Sequence, residues 1–418
     1  MSTNIPGMQY FAKVKSENLN SDDLHLYVDE IKNVCENFPT EIEKLKAVIN
    51  KKYDKIYAIG IGDSLYSAES IKLGFWEESG IQMEVLESQE FNNYYLDYMP
   101  ENSLVFVCSG GGSAARTVET SFLAQNRGAT VVAVTLTPES RLTASTENIL
   151  CFSTQKDPFI DGSRNYISLA LLLKLIGIKI GVWNNNLTLT EGQARIDQII
   201  KTMEIGFQTV ISNEEIIKDL MLGAKDQTKF YFLGAGPSLP LTEYGAAKFM
   251  EESSADGIPQ QLEEYSHEQY WVHNRRPDGS TIFNICPDGK SAQRCAEILH
   301  EHNFLGLNTV LLTTSPVASV LDGKAKHTIV TSGPVAENDY WMVACHIFAR
   351  LANYYTDYIG FSDKRFHSDD QFVAHYITIH YSRFLPEVAK YDIPVPEDKI
   401  IAERGAFGLT YKQPEEEE

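Results

Sequence analysis

Lys248 and Glu251 stand three residues apart in LTEYGAAKFMEES, a stretch that reads as helix, so an ammonium and a carboxylate share one helix face. His267 follows sixteen residues beyond Glu251. A carboxylate, an ammonium and an imidazole are the groups that proton transfer with charge stabilisation draws on. As a bare spacing, Lys-x-x-Glu is also an ordinary surface salt bridge. What distinguishes this pair is its place: the helix begins directly after an apolar run that ends in Gly234-Ala235-Gly236.

A Gly-x-Gly turn after a strand lets a ligand approach the backbone closely, and the following helix start offers free N–H groups and a positive dipole end that suit an anion. The same turn occurs earlier, at Gly60-Ile61-Gly62, followed by Ser64. A second cluster in that half, VFVCSGGGSAART, ends another apolar run with Ser109, Gly110, Gly111, Ser113, Arg116 and Thr117. Hydroxyls and bare N–H groups there form a candidate cup for a phosphate-like group, with Arg116 at hand to pair it. The dinucleotide fingerprint needs a third glycine, and Leu65 and Leu239 occupy that place, so a nucleotide cofactor is not expected.

These turns belong to a repeat. KIYAIGIGDS at Lys55 to Ser64 returns as KFYFLGAGPS at Lys229 to Ser238, with Lys, Tyr, both glycines and Ser in register. One strand–turn–helix unit has been used twice. Around the first copy, the apolar runs KIYAIGIG, MEVLES, SLVFVCSG, TVVAVTLT and NILCFS alternate with amphipathic stretches. Around the second copy the runs are KFYFLGAG, STIFNICP, NTVLLTTS and HTIVTSG, with helices near 243–252, 291–302 and 339–358. Such alternation predicts a parallel sheet covered by helices on both faces, an αβα sandwich of flavodoxin or Rossmann type, made twice. With NTVLLTTS as its third strand, the second copy is followed there by TTSPVASVL, whose proline and missing glycine make a poor cup. The expected division is a helical segment over 1–50, a first α/β domain over 51–185, a helical connection over 186–226, a second α/β domain over 227–362, and a helix and tail over 363–418. Within the first segment Pro39 should restart the helix, and 191–225 reads as one helical stretch.

The 418 residues suffice for two domains, and the formal charge of −21 with no basic cluster argues against nucleic acid and anionic membrane as partners. No uninterrupted apolar run of about 18 residues stands out, the length a spanning helix needs. The six cysteines lack CxxC pairing, and MSTNIPGMQYFAKVKSEN lacks an apolar leader core, which predicts a cytoplasmic protein with reduced thiols. His375 and His380 are five apart, off the spacing that stacks ligands on a helix face, so no metal is expected.

With these residues in place, the chain resembles the tandem sugar isomerase (SIS) domain proteins, among them the isomerase half of the glucosamine-6-phosphate synthases, over roughly residues 50–360. The likeness is carried by GIGDSLYSAES, SQEF at Ser88 to Phe91, the 109–117 loop and VTLTPESRLTAST, and most sharply by GAGPSLPLTEYGAAKFMEESSADGIPQQLEEYSHEQ. It implies two tandem SIS domains and a homodimer, or a dimer of dimers, with a shared active site.

The resemblance further implies aldose–ketose isomerisation of a small-molecule sugar, a hexose with a terminal anion, through a cis-enediol. Glu251 would be the base moving a proton between C1 and C2, and Lys248 would steady developing negative charge. His267 would help to open the ring, reaching into the neighbouring subunit's site. Glu263 and Glu264 read by themselves as solvated or dimer-contact charges, with Glu264 the candidate to orient His267. Gly62, Ser64, Ser109, Gly110, Gly111, Ser113 and Thr117 would surround the anion. Gly111 and Ala114 stand where the family has hydroxyls, which leaves room for a 6-sulfonate as well as a 6-phosphate. The alternatives are a sugar-phosphate deaminase or fructosamine-6-phosphate deglycase, and, from another class, a non-catalytic sugar-phosphate-binding regulator.

Overall fold

Glycine-bounded apolar runs become strands of two parallel sheets in the computed structural model, which describes residues 21–152, 163–275, 279–321, 323–360, 375 and 378–380. Residues 1–20 and most of the 363–418 segment, expected as a helix and tail, lie outside the described residues.

Helices α1 (Ser21–Lys44) and α2 (Lys46–Ile49) lead into β1 (Lys55–Gly60), α3 (Asp63–Ser79), β2 (Met83–Glu87) and α4 (Ser88–Glu90). There follow β3 (Ser103–Ser109), α5 (Ala115–Asn126), β4 (Thr130–Thr135), α6 (Arg141–Ala144) and β5 (Ile149–Cys151). The sheet order is β2-β1-β3-β4-β5, with every pair parallel. Helices α7 (Ser163–Trp183), α8 (Leu189–Ser212) and α9 (Glu214–Gly223) connect to β6 (Lys229–Gly234), α10 (Leu239–Ser253), β7 (Asp256–Gln261), α11 (Leu262–His267) and α12 (Gln269–Arg275). The chain continues through β8 (Thr281–Cys286), α13 (Ala292–Leu305), β9 (Asn308–Thr313), α14 (Ser315–Leu321), β10 (His327–Val330) and α15 (Trp341–Tyr358). This second sheet runs β10-β9-β8-β6-β7, the same order in its own numbering. In such a doubly wound order the strand sequence reverses between the first and third strands, and a crevice opens there at the carboxyl ends.

Three expectations change. The edge strand β7, DGIPQQ, carries no apolar alternation and contains Pro259, which a central strand would not tolerate. With β7 counted, the second copy's third strand is β8, so the loop that corresponds to the Ser/Gly cup is Cys286 to Ser291 and not TTSPVASVL. Helix α1 runs through Pro39: the proline removes one hydrogen bond, but Phe38 and Ile42 on the buried face hold the helix against the core. The stretch read as one helix breaks at Asn213, whose side-chain amide donates to the Thr209 carbonyl.

Between the two sheets, one continuous apolar core takes in residues of α1, α3, α7, α8, α10 and α15, while each sheet has a smaller core on its other face. Helix α7 is long and apolar enough to cross a membrane by composition, with a mean hydropathy of 1.7, yet 83% of that window is buried inside the protein. Its Lys174 meets Glu78 at 3.1 Å and Asp339 at 2.9 Å, tying α3 to the segment before α15. Helices α3 and α10, which follow the two Gly-x-Gly turns, pack against each other where the halves meet.

Candidate active site

The α3–α10 contact brings the two turns' chemistry together. Lys248, at 0% exposure, donates to Glu251 Oε2 at 2.6 Å and to Asp63 Oδ2 at 3.0 Å. Glu251 lies on the last turns of α10 with 44% of its side chain exposed, whereas Asp63, the first residue of α3, keeps 12%. Tyr244, one turn before Lys248, presents its ring to the ammonium at 5.3 Å and packs on Tyr166 of α7 at 4.1 Å. The base expected from the sequence is therefore anchored from one side and open on the other.

The electrostatics follow from one buried ammonium facing two carboxylates. Burial alone would lower the Lys248 pKa, but Asp63 and Glu251 outweigh it and hold the group firmly protonated. Asp63 is pushed up to about 6, by burial first, with Lys248 pulling down and Glu251 pushing further up. Its Oδ1 is buried and accepts no hydrogen bond among the described residues. Further along the same interface, burial and then Glu243 push the Glu69 carboxyl up to about 7.

The anion cup forms at the reversal point between β1 and β3. Gly62 caps α3 with φ +54°, a conformation that glycine adopts without strain, and a Cβ there would meet nothing within 4 Å. Ser64 is buried in the first turn, its N–H donating to the Ile61 carbonyl at 3.1 Å. After β3, Ser109 Oγ accepts from the Gly112 N–H at 3.0 Å, and the Gly110 carbonyl accepts from Thr137 Oγ1 at 3.0 Å. Gly112 has φ +62°, and a Cβ on it would overlap Ser140 Oγ. Gly111 is exposed and Ser113 partly so, and Ala114 leaves the start of α5 without a side-chain cap. Thr117 is buried, with its hydroxyl 3.1 Å from that of Ser88 in the SQEF segment.

Several expected residues are placed elsewhere. The Arg116 guanidinium turns onto the buried Glu119 at 2.8 Å, because a buried carboxylate needs a cation more than an open loop does. His267 closes α11 with its ring 69% exposed and Nε2 3.3 Å from Glu263, and no contact joins it to Lys248 or Glu251 among the described residues. The carboxylate beside its ring is Glu263, itself held by Arg294 at 2.6 Å. Glu264 is exposed and contributes its N–H to the Gln261 side chain at 2.9 Å.

Sequence reasoning missed Asp63, Arg141 and His380. Asp63 had a signal, since the two repeat copies differ there: Pro237 holds its place in the second. Arg141 is buried beside the cup and donates to the His380 carbonyl oxygen, while the His380 imidazole bonds to the Ser113 backbone. In the second half, the corresponding loop is filled from within: a Cβ on Gly289 would overlap the Glu337 carboxyl.

Two parallel sheets of flavodoxin order, with a charged cluster where α3 meets α10 and a glycine loop at the first sheet's strand-reversal point, define a two-domain α/β protein with a candidate site on each of these features. Residues 49–175 match the SIS domain family model, and the second half of the chain repeats the same sheet order. It is 24% identical over 234 residues to the glutamine–fructose-6-phosphate aminotransferase (isomerizing) of Thermotoga maritima, covering 55% of this chain and 37% of the relative. The Thermococcus kodakarensis enzyme of the same name is 23% identical over 261 residues, covering 62% of this chain and 43% of the relative. The chain thus spans well under half the length of either relative. Among solved structures, the C-terminal domain of glucosamine-fructose-6-phosphate aminotransferase from Francisella tularensis superposes with a TM-score of 0.66 at 16% identity, covering 80% of this chain and 95% of that one. Tagatose-6-phosphate ketose/aldose isomerase from Escherichia coli superposes with a TM-score of 0.64 at 12% identity, covering 81% and 91%.

Proposed function

We propose that this protein is an aldose–ketose isomerase for a hexose bearing a terminal anion, a 6-phosphate or a 6-sulfonate, working through a cis-enediol. The observation that carries the reading is Glu251, held at 2.6 Å by a fully buried Lys248 while almost half of its side chain stays open. A carboxylate so anchored can take a proton from one carbon and return it to the next without leaving its place, and the ammonium steadies the oxyanion that forms beside it. The glycine cup at 109–113, with the uncapped start of α5, suits the sugar's terminal anion. The names of the relatives, which pair isomerisation with fructose 6-phosphate, and of the ketose/aldose isomerase neighbour point the same way. On this reading, His267 opens the sugar ring in the site of a second subunit, consistent with its standing out in solvent away from its own Glu251, and the working unit is a homodimer.

The test begins with a thermal-shift panel of hexose 6-phosphates and 6-sulfonates, since a bound ligand stabilises by mass action. Sugars that bind are then incubated in deuterated water. Wild type should exchange the C2 proton and interconvert aldose and ketose, while Glu251→Gln binds with near-normal affinity and exchanges nothing. Exchange by Glu251→Gln at the wild-type rate would refute the assignment of the base.

A further inference from the structure

Resting on that reading, we infer that Asp63 is a second catalytic residue, the acid that carries protons between the two sugar oxygens while Glu251 moves the carbon-bound proton. An aspartate in the first turn of a helix is ordinarily a solvated group satisfied by the helix dipole. This one is turned inward against a buried lysine, across the contact between the two domains, and shares that lysine with the proposed base. One ammonium cannot balance two carboxylates, and the excess proton belongs on the less solvated of them, which is Asp63. An ionised Asp63 would leave Oδ1 buried without a donor, whereas a proton placed there removes that charge. Pairs of carboxyls whose surroundings push their proton affinities apart are how one site supplies both an acid and a base.

Asp63 keeps 12% of its side chain exposed and follows Gly62 in the chain, where a Cβ would meet nothing within 4 Å. A sugar with its anion in the neighbouring cup can bring its first two carbons past that opening. Glu251 removes the C2 proton of the aldose as the Asp63 carboxyl gives its proton to the carbonyl oxygen O1, and a C1=C2 enediol results. Asp63, now a carboxylate, takes the O2 proton as the C2 carbonyl forms, and Glu251 returns its proton to C1. The ketose leaves with both carboxyls in their starting states. The groups that face Asp63 are Lys248, Glu251 and Tyr244 on α10, Tyr66 on its own helix and Tyr166 on α7. The tyrosines are pushed above their usual pKa by burial first, so Lys248 is the cation and Glu251 the carboxylate that face Asp63.

The experiment compares Asp63→Asn with wild type in kcat, KM and pH profile. The isosteric amide keeps the Lys248 contact but cannot exchange a proton, so kcat should fall about a hundredfold with KM changed less than about threefold. Wild-type kcat should decline as pH rises above about 6, and that limb should vanish in the variant. A merely structural partner of Lys248 would alter stability and leave the limb in place. Unchanged kcat and an unchanged limb in Asp63→Asn would overturn the role of Asp63 while leaving Glu251 as base. No C2 exchange by wild type on any panel sugar would overturn the isomerase reading, and this inference with it. If the Asn variant does not fold, Asp63→Ser, small and compatible with a helix's first turn, is measured against the same expectations.

Discussion

Replacing Lys248 by methionine should reveal the charge balance at the domain contact. The side chain is fully buried and its two carboxylate partners differ in freedom: Glu251 can turn to water, while Asp63 is nearly enclosed. Without the ammonium, Asp63 avoids being a lone buried charge by staying protonated. In wild type it gives up its proton as pH passes about 6. Above that point the folded variant holds one more proton than folded wild type, and its relative stability falls by about 1.4 kcal/mol per pH unit. From about pH 6, where wild-type Asp63 is still half protonated, to about pH 8 the penalty of Lys248→Met should therefore grow by roughly 2.3 kcal/mol, with the unfolded chains titrating alike near the ordinary aspartate value. For Asp63 taken alone in wild type, the raised folded pKa means stability that is present below the unfolded value and is lost as pH rises through about 6. Urea unfolding of both proteins, followed by far-ultraviolet circular dichroism across that pH range, reads the difference directly. A penalty independent of pH would show that Asp63 does not titrate there, and the argument for a shared ammonium would fail.

Two further outcomes are expected. Mixing Glu251→Gln and His267→Ala chains should restore part of the activity that each lacks if His267 serves the neighbouring subunit's site, and verified heterodimers without recovery would count against a shared site. Gly112→Ala should destabilise the protein more than Gly62→Ala, because it adds overlap on Ser140 Oγ to the backbone strain of about 1–3 kcal/mol that both positions carry at positive φ. Thermal unfolding checks the order, and equal losses would mean that the cup tolerates a side chain at Gly112.

How much of this was legible in the sequence depended on whether a feature left a pattern in neighbouring residues. The repeat of KIYAIGIGDS in KFYFLGAGPS and the spaced apolar runs sufficed for two parallel sheets, since each strand buried on both faces must be continuously apolar. Strand β7 escaped because an edge strand owes its place to pairing with β6, and DGIPQQ needs no apolar code for that. Missing it displaced the second copy's cup by one strand. Lys248 and Glu251 were visible because helical spacing puts them on one face. Asp63 was not, because its partner is 185 residues away and only the packing of α3 on α10 brings them together.

The same packing explains why two copies of one unit came to do different work. Both turns have the glycines and the serine, but the residue between them is Asp63 in one and Pro237 in the other. Pro237 lies in the short turn before α10 and brings no titratable group, so the second turn can only position its helix; the aspartate starts α3 with a carboxyl that reaches across to that helix. The Glu337 carboxyl lies against Gly289 in the second loop; the first has Asn165 against Gly110 and Ser140 against Gly112 but leaves Gly111 exposed. On the proposed mechanism, one half would hold the anion and lend an acid, and the other would contribute the base and the ammonium. Neither half has the full set, so that mechanism requires the α3–α10 contact as much as the fold does.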